Sequence, residues 1–425
     1  MDVPLTPASR SYAVRLFGQL VADDVAWEVW FAMLRHAPLR ALFVLLKSGG
    51  RRRVMTRLME SDVEVDPATL PYRTAALLAI ESVRREHNVI YLVCDRASPW
   101  APQVAAHLGL ALAPDGTDAR ALPDLPVETP PTRPAWRRWV KQLRLHQWIK
   151  NLLIFVPLIA SHRFGETDLI VASLIAFLAF GCVASATYVF NDLLDVHADR
   201  RHASKRYRPL AAGTLSISTV SLVAVLLLVA GLALAATLPL EFVGAIGVYL
   251  VGTLSYSLVL KKLAPLDTLV LAGLYALRVL AGNAATGIPT SFWLLLFSVF
   301  FFLSLAMAKR HAELTLSTAG AKQQETFGRG YLVADREMVS QLGVGAGYVA
   351  VLILALYLNS PEAQALYSHP RFIWLVCVLL LYWTSRLWFV SHRGQLDDDP
   401  VIYAIRDRSS VVVLALAFAI LVIAK

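Results

Sequence analysis

The feature that most limits what this chain can become is a series of nearly uncharged apolar blocks, each about 17–23 residues long, spread over residues 149–424. A helix of that length crosses a hydrocarbon layer roughly 30 Å thick, and in lipid only helices and closed barrels leave no backbone group unsatisfied. Of 425 residues, 57% are hydrophobic and 17% charged, too apolar for a water-facing surface over that length. The sequence therefore reads as an all-α polytopic membrane protein, and secreted, fibrous and disordered classes fall away. Hydropathy places about nine transmembrane helices, at 149–163, 168–190, 217–238, 241–260, 265–285, 291–308, 342–358, 372–390 and 408–424.

Charge gives the orientation. Arg200, Arg201, Lys205, Arg206 and Arg208 follow the second span, Lys261 and Lys262 the fourth, and Lys309, Arg310, Lys322, Arg329 and Arg336 the sixth. The alternate loops carry little basic charge beyond Arg163 and Arg371. Basic loops stay on the cytoplasmic side, so the N-terminal region and the basic loops are expected there. The formal net charge of +9 is accounted for by this topology and by anionic headgroups of the lipid bilayer. No basic patch interleaved with aromatics marks a soluble face, so no nucleic acid is expected as a partner. Cys94, Cys182 and Cys377 are scattered, which speaks against a disulfide framework or a zinc site.

Composition changes once, between two expected domains. Residues 1–120 mix strand-like and helix-like runs: Asn88 to Cys94 has strand length, as does Ala13 to Ala22, a helix-like stretch follows Pro99, and Trp27 to Lys47 is an apolar run ending in Lys47, Arg51, Arg52 and Arg53. This is expected to be a small α/β cytoplasmic domain. Residues 121–135 hold five prolines and read as a linker. Residues 136–425 form the membrane domain, entered through a basic stretch with Trp136, Trp139 and Trp148 that suits the headgroup layer.

The segment richest in chemistry runs from Asn191 to Gly213. Asp192, Asp195 and Asp199 are spaced three and four apart, which places three carboxylates on one helical face. Their repulsion calls for a cation, and Mg²⁺ commonly bridges one or two carboxylates to substrate phosphates. Asn191 adds a neutral oxygen, and Lys205, Arg206 and Arg208 supply cations suited to phosphate. A solvated juxtamembrane loop explains the bases but not the acids. His197 and His202 read as loop residues, since Mg²⁺ prefers oxygen.

The pattern NDxxDxxxD at the end of the second span resembles the first Asp-rich motif of the UbiA superfamily of intramembrane prenyltransferases, over residues 144–425. The segments RLHQWIKN (144–151), YSLVLK (256–261), RVLAG (278–282), AKRHAEL (308–314) and AIRDR (404–408) resemble its decaprenyl-phosphate phosphoribosyltransferase branch. The resemblance implies a UbiA-like helical bundle in the bacterial inner membrane and a role in cell envelope biosynthesis. It also implies a transferase that moves 5-phosphoribose from phosphoribosyl pyrophosphate (PRPP) to a polyprenyl phosphate and releases pyrophosphate. Asp192, Asp195 and Asp199 would be its metal-binding and catalytic residues, with Mg²⁺ as cofactor.

Where prenyltransferases of the superfamily carry a second Asp-rich motif, this chain reads Ala308-Lys309-Arg310-His311-Ala312-Glu313, basic with one acid. That favours phosphoribosyl transfer over the alternative, transfer of a polyprenyl group from its diphosphate to an aromatic or other acceptor. Substrate-binding roles are expected for Asn191, Lys205, Arg206, Arg208, Tyr256, Lys261, Arg278, Lys309, Arg310, Lys150 and Asn151. Bland alternatives stand beside several of them: an interfacial anchor for Tyr256 and Lys150, and a structural ion pair for Arg278. Arg406, Asp407 and Arg408 close a polar network or cap the last span. Self-association as a homo-oligomer is left open.

The leading region resembles haloacid-dehalogenase-like domains, with Arg15-Leu16-Phe17-Gly18-Gln19 in place of their DxDGT. Both carboxylates are gone, so no aspartyl-phosphate can form. The expected role is that of a non-catalytic relic or a docking and regulatory module.

Overall fold

The structure is a computed structural model that describes residues 11–424 except 17, most of 22–65, 87, 95–99, 114–121, 127–133, 202–204, 319–329 and 397–399. Lys47, Arg51, Arg52, Arg53, Lys322 and Arg329 lie outside the described residues, as does most of the expected helix 27–47. The chain packs as two compact units, residues 1–145 with 188–227 and residues 146–187 with 228–425.

In the first unit, β1 (Ser11–Arg15), β2 (Val89–Val93) and β3 (Ala111–Leu112) form a parallel sheet in the order β1-β2-β3. Ser11 pairs with Val89 and Arg15 with Val93. Parallel neighbours require crossovers, supplied by α1 (Thr74–Arg85) and α2 (Ala101–Leu108). Ala76, Ile80 and Val83 put the buried face of α1 at helical spacing. α2 begins with Pro102 in its first turn and ends at Gly109, whose φ of +63° makes a left-handed cap. The first strand is shorter than the expected 13–22. Gly18 at φ +86° turns the chain, and the Leu20 and Val21 amides donate back to the Arg15 and Leu16 carbonyls. Part of the proline-rich segment lies along β1: the Ala13 amide donates to Pro123 O at 2.9 Å, and Leu125 is buried in the sheet's core.

Three elements of this unit carry the acidic segment: α3 (Ala135–Gln142), the C-terminal end of α5 (Thr167–Leu194) and the short α6 (Val196–Arg201). They share an apolar cluster of Phe31, Val189, Leu193, Val196, Leu210 and Ile217, against which Trp139 and Leu143 of the basic stretch pack. Trp136 and Val140 of α3 stay exposed.

The second unit is built of α-helices. It holds α4 (Val156–Ala160) and the end of α7 (Ile217–Ala235), which begins in the first unit, and then α8 (Leu240–Leu258), α9 (Leu266–Thr286), α10 (Phe292–Thr318), α11 (Arg336–Tyr357), α12 (Pro361–Leu366), α13 (Trp374–His392), α14 (Pro400–Arg406) and α15 (Arg408–Ala424). Among the described residues seven helices are long and apolar enough to cross a membrane: α5, α7, α8, α9, α10, α11 and α13. The count becomes eight if α14 and α15, bent by 82°, form one span. The bend has a clear cause. Asp407 caps α15 by accepting from the Ser410 amide and hydroxyl at 2.8 Å and pairs with Arg386 at 2.7 Å. The expected first span, 149–163, is a shorter apolar segment, Leu145–Ala160, wound as a 3-10 helix to Phe155 with Pro157 just beyond. Nine expected spans thus become seven or eight long helices.

Helices in lipid associate through close packing of small residues and through polar contacts. Gly343 on α11 lies under Trp388 of α13, whose indole donates to Ser304 Oγ at 3.1 Å, while Ser304 donates to Gly343 O at 2.7 Å. Gly282 on α9 meets the 3-10 segment so closely that a Cβ there would stand 2.1 Å from Ile154 O. We therefore expect Gly282→Ala to lower thermal stability in detergent by about 1–3 kcal/mol, because a backbone carbonyl has no rotamer to move away. Gly273→Ala on the same helix, with nothing within 4 Å of the added carbon, should be neutral or stabilising. Equal melting temperatures for the two variants would contradict the packing described.

Candidate active site

Asp192 lies one turn or less from the C-terminal end of α5, where the helix dipole already presents partial negative charge. Asp199 follows two turns later, on α6. Both carboxylates are only 4% exposed, and a buried carboxylate is stable only beside a cation or several donors. The structure supplies both. One nitrogen, Arg208 Nη1, donates to Asp192 Oδ1 at 3.1 Å and to Asp199 Oδ2 at 2.5 Å. Arg144 Nη2 donates to the same Asp192 oxygen at 2.5 Å, and Gln142 Nε2 to the other at 3.2 Å. Gln142 is fixed in turn by the Leu210 amide, which donates to its Oε1 at 3.1 Å. Arg144 lies over the Tyr188 ring and has φ +51°. That region is uncommon for a side chain of this kind and often accompanies function.

The two carboxylates thus converge on one positively charged atom. Among the described residues no group of three His, Cys, Asp or Glu side chains forms a metal cage. Asp195 sits half-buried at the junction of α5 and α6, its amide donating to Asn191 O and its carbonyl accepting from the Asp199 amide. Two carboxylates suffice for an ion of the Mg²⁺ kind, which takes its other oxygens from water and substrate phosphate, and such an ion would take the place of arginine donors now on these oxygens. The donor set does not fit an all-protein cage.

The remaining cations of the segment divide. Arg200 donates to the Ala211 and Thr69 carbonyls at 3.0 Å, and Arg201 pairs with Asp66 at 2.6 Å. Lys205 and Arg206 lie in a 3-10 turn, with Arg206 exposed over the Tyr207 ring.

In the second unit Arg278 is buried within α9. Its Nε donates to Asn151 Oδ1 at 3.0 Å and its Nη1 to Leu274 O at 2.5 Å, and its guanidinium lies 5.1–5.6 Å from the ring centres of Phe180, Tyr249 and Tyr275. No carboxylate pairs with it among the described residues. Lys150 Nζ lies 5.4 Å from the Tyr275 ring centre. Asn151 Nδ2 is buried without a hydrogen-bond partner among the described residues. The cation is thus held by rings and amide oxygens, beside a buried amide donor with no hydrogen-bond partner among the described residues.

Arg310 is placed differently. It is one of the most buried side chains, and its charge is met by Asp267 at 2.5 Å and Glu313 at 2.6 Å, with Tyr256 Oη accepting at 2.8 Å. Tyr331 donates to the other Asp267 oxygen at 2.6 Å. Burial first, and then this hydrogen bond, push the Tyr331 phenol above its ordinary value, so it remains a donor. The cluster ties α8, α9 and α10 together. Lys309 is half-buried on α10, and Lys261 lies in a 3-10 turn after α8. Sequence reasoning missed Gln142, Arg144, Asp267 and Tyr331. Arg144 falls inside the quoted RLHQWIKN segment, but nothing in its spacing marks a left-handed residue aimed at Asp192.

Similarity to known proteins agrees with this layout. Residues 152–403 match the UbiA prenyltransferase family. The decaprenyl-phosphate phosphoribosyltransferase of Mycolicibacterium smegmatis is 37% identical over 275 residues, which cover 63% of this chain and 86% of that protein. The uncharacterized protein y4nM of Sinorhizobium fredii is 31% identical over 464 aligned residues, covering 96% of this chain and 90% of the relative. A solved UbiA homolog from Archaeoglobus fulgidus, bound to DMAPP and Mg2+, shares the fold with a TM-score of 0.50 at 17% identity, over 67% of this chain and 99% of that one. The chain is a multi-pass transferase that belongs to the UbiA prenyltransferase family, alongside its decaprenyl-phosphate phosphoribosyltransferases.

Proposed function

We propose that the chain is a Mg²⁺-dependent polyprenyl-phosphate phosphoribosyltransferase of the bacterial inner membrane, working at its cytoplasmic side. The donor is PRPP, the acceptor a decaprenyl-type phosphate in the bilayer, and the products are a polyprenyl phosphoribosyl phosphate and pyrophosphate. The observation that carries this reading is the 308–313 stretch of α10, basic with a single acid. Glu313, the single acid of the 308–313 stretch, is spent on Arg310, and Asp267 is closed by Arg310 and Tyr331. One acid among bases in this stretch supports phosphoribosyl transfer over a second two-carboxylate site for a prenyl diphosphate.

Asp192 and Asp199 would hold Mg²⁺, whose chemistry is to neutralise charge on the departing pyrophosphate. Arg144 and Arg208, already beside those carboxylates, stabilise phosphate oxygens by charge-assisted hydrogen bonds. Arg278 and Asn151 bind a phosphate that lacks a protein counter-charge, and Lys150 adds a second cation. Lys205, Arg206, Lys261 and Lys309 complete the phosphate-binding set, with Asn191, Asp195 and Tyr256 as polar neighbours. The reacting sugar carbon develops oxocarbenium character as its bond to pyrophosphate breaks. An acceptor phosphate with a second pKa of about 6 is largely ionised at neutral pH, so no strong base is required. Positioning and fixed charge carry the rate enhancement.

Membranes containing the protein, given labelled PRPP, polyprenyl phosphate and Mg²⁺, should yield lipid-linked label and pyrophosphate. Label transfer only from a polyprenyl diphosphate to an aromatic acceptor would establish the alternative chemistry instead. Asp192→Asn and Asp199→Asn should each lower turnover by about 100-fold or more at unchanged expression. Lys309→Ala and Arg310→Ala separate binding from structure. The first should raise the KM for a phosphate substrate in a folded protein. The second strands Asp267 without its cation at about 3–5 kcal/mol, so it should show as lost thermal stability. Normal stability with lost activity for Arg310→Ala would return that residue to the binding set.

A further inference from the structure

The leading sheet domain is joined to the acidic segment by contacts that the proposed reaction does not use. Asp66 opens the 3-10 turn Pro67–Thr69 by accepting from the Ala68 amide at 3.0 Å, and its other oxygen takes Arg201 Nη2 at 2.6 Å. The Ala68 amide and then the Arg201 guanidinium hold the Asp66 carboxyl below its ordinary range, so it is charged at neutral pH. Thr69 O receives Arg200 Nη1, while Nε of the same guanidinium donates to Ala211 O, each at 3.0 Å. Arg200 and Arg201 close α6, which carries Asp199, and Ala211 lies three residues beyond Arg208.

On the other side the turn is anchored to the sheet, because the Arg73 amide donates to Leu20 O at 2.9 Å and Tyr72 bridges Val21. An apolar joint runs in parallel. Phe31 is buried among Val189, Leu193, Val196 and Leu210, and Trp27, Trp30 and Leu34 pack against both that cluster and the core of the sheet.

We infer that the leading domain is a mount for the acidic segment, in which Asp66 and the Thr69 carbonyl hold Arg201 and Arg200 so that Asp199 and Arg208 stay in register with Asp192. Asp66 is a positioning residue. Arg200 and Arg201 serve this joint rather than substrate phosphate. The activity arm of the test rests on the function proposed above, and the exchange arm does not.

The test uses the full chain in lipid nanodiscs, by hydrogen–deuterium exchange and by Mg²⁺ titration of phosphoribosyl transfer. In Arg200→Ala/Arg201→Ala, amides of 196–201 and 205–213 should exchange about tenfold faster, while those of α10 keep their protection. The half-saturating Mg²⁺ concentration should rise about fivefold, with kcat within about twofold. Asp66→Asn, a milder change, should shift both readouts in the same direction by about twofold. The swapped pair Asp66→Arg/Arg201→Asp should recover most of what Arg201→Asp alone loses. Unchanged exchange in 196–213 for both the double variant and Asp66→Asn would overturn the inference. A wild-type protein that fails to use PRPP, yet shows the exchange coupling, would overturn the functional reading and leave the mount standing.

Discussion

Two buried carboxylates sharing one guanidinium nitrogen are the interaction on which this structure turns. Buried carboxylates such as Asp192 and Asp199 require a cation or several donors beside them. Arg208 lies between them, Arg144 shares its Asp192 oxygen, and Gln142 takes the other. The arrangement preorganises an acidic pair around a point of positive charge.

The second unit solves two charge problems in opposite ways. Arg310 is neutralised on the spot by Asp267 and Glu313, and its network ties three helices together. Arg278 is given rings, a carbonyl and an amide oxygen instead. A buried cation without a counter-charge is costly, and its cost is relieved when an anion binds. Two arginines on neighbouring helices therefore have different partners, although a hydropathy profile treats them alike.

Much of this was legible before the fold was known. The bilayer imposes a length on each span, so α5, α7 to α11 and α13 stand where the apolar blocks do. The acidic motif announced itself through helical spacing within an otherwise basic loop. The first apolar block instead winds as a 3-10 segment before Pro157, a local choice that hydropathy does not encode. Of the three acids on one expected face, Asp192 and Asp199 share the Arg208 nitrogen, a link to a residue beyond the helix that spacing alone does not show. Arg310 looked like a substrate ligand because its partner Asp267 is 43 residues away. Pairing over such separations is visible only in three dimensions. The joint through Asp66 and Arg201, 135 residues apart, was hidden for the same reason.

The most direct test is anomalous diffraction from crystals grown with Mn²⁺, a readily located substitute for Mg²⁺, and pyrophosphate. The predicted result is a peak at coordination distance from carboxylate oxygens of both Asp192 and Asp199, with Arg208 moved onto the pyrophosphate. Both carboxylates still clamped on Arg208, with manganese absent or bound elsewhere, would contradict it.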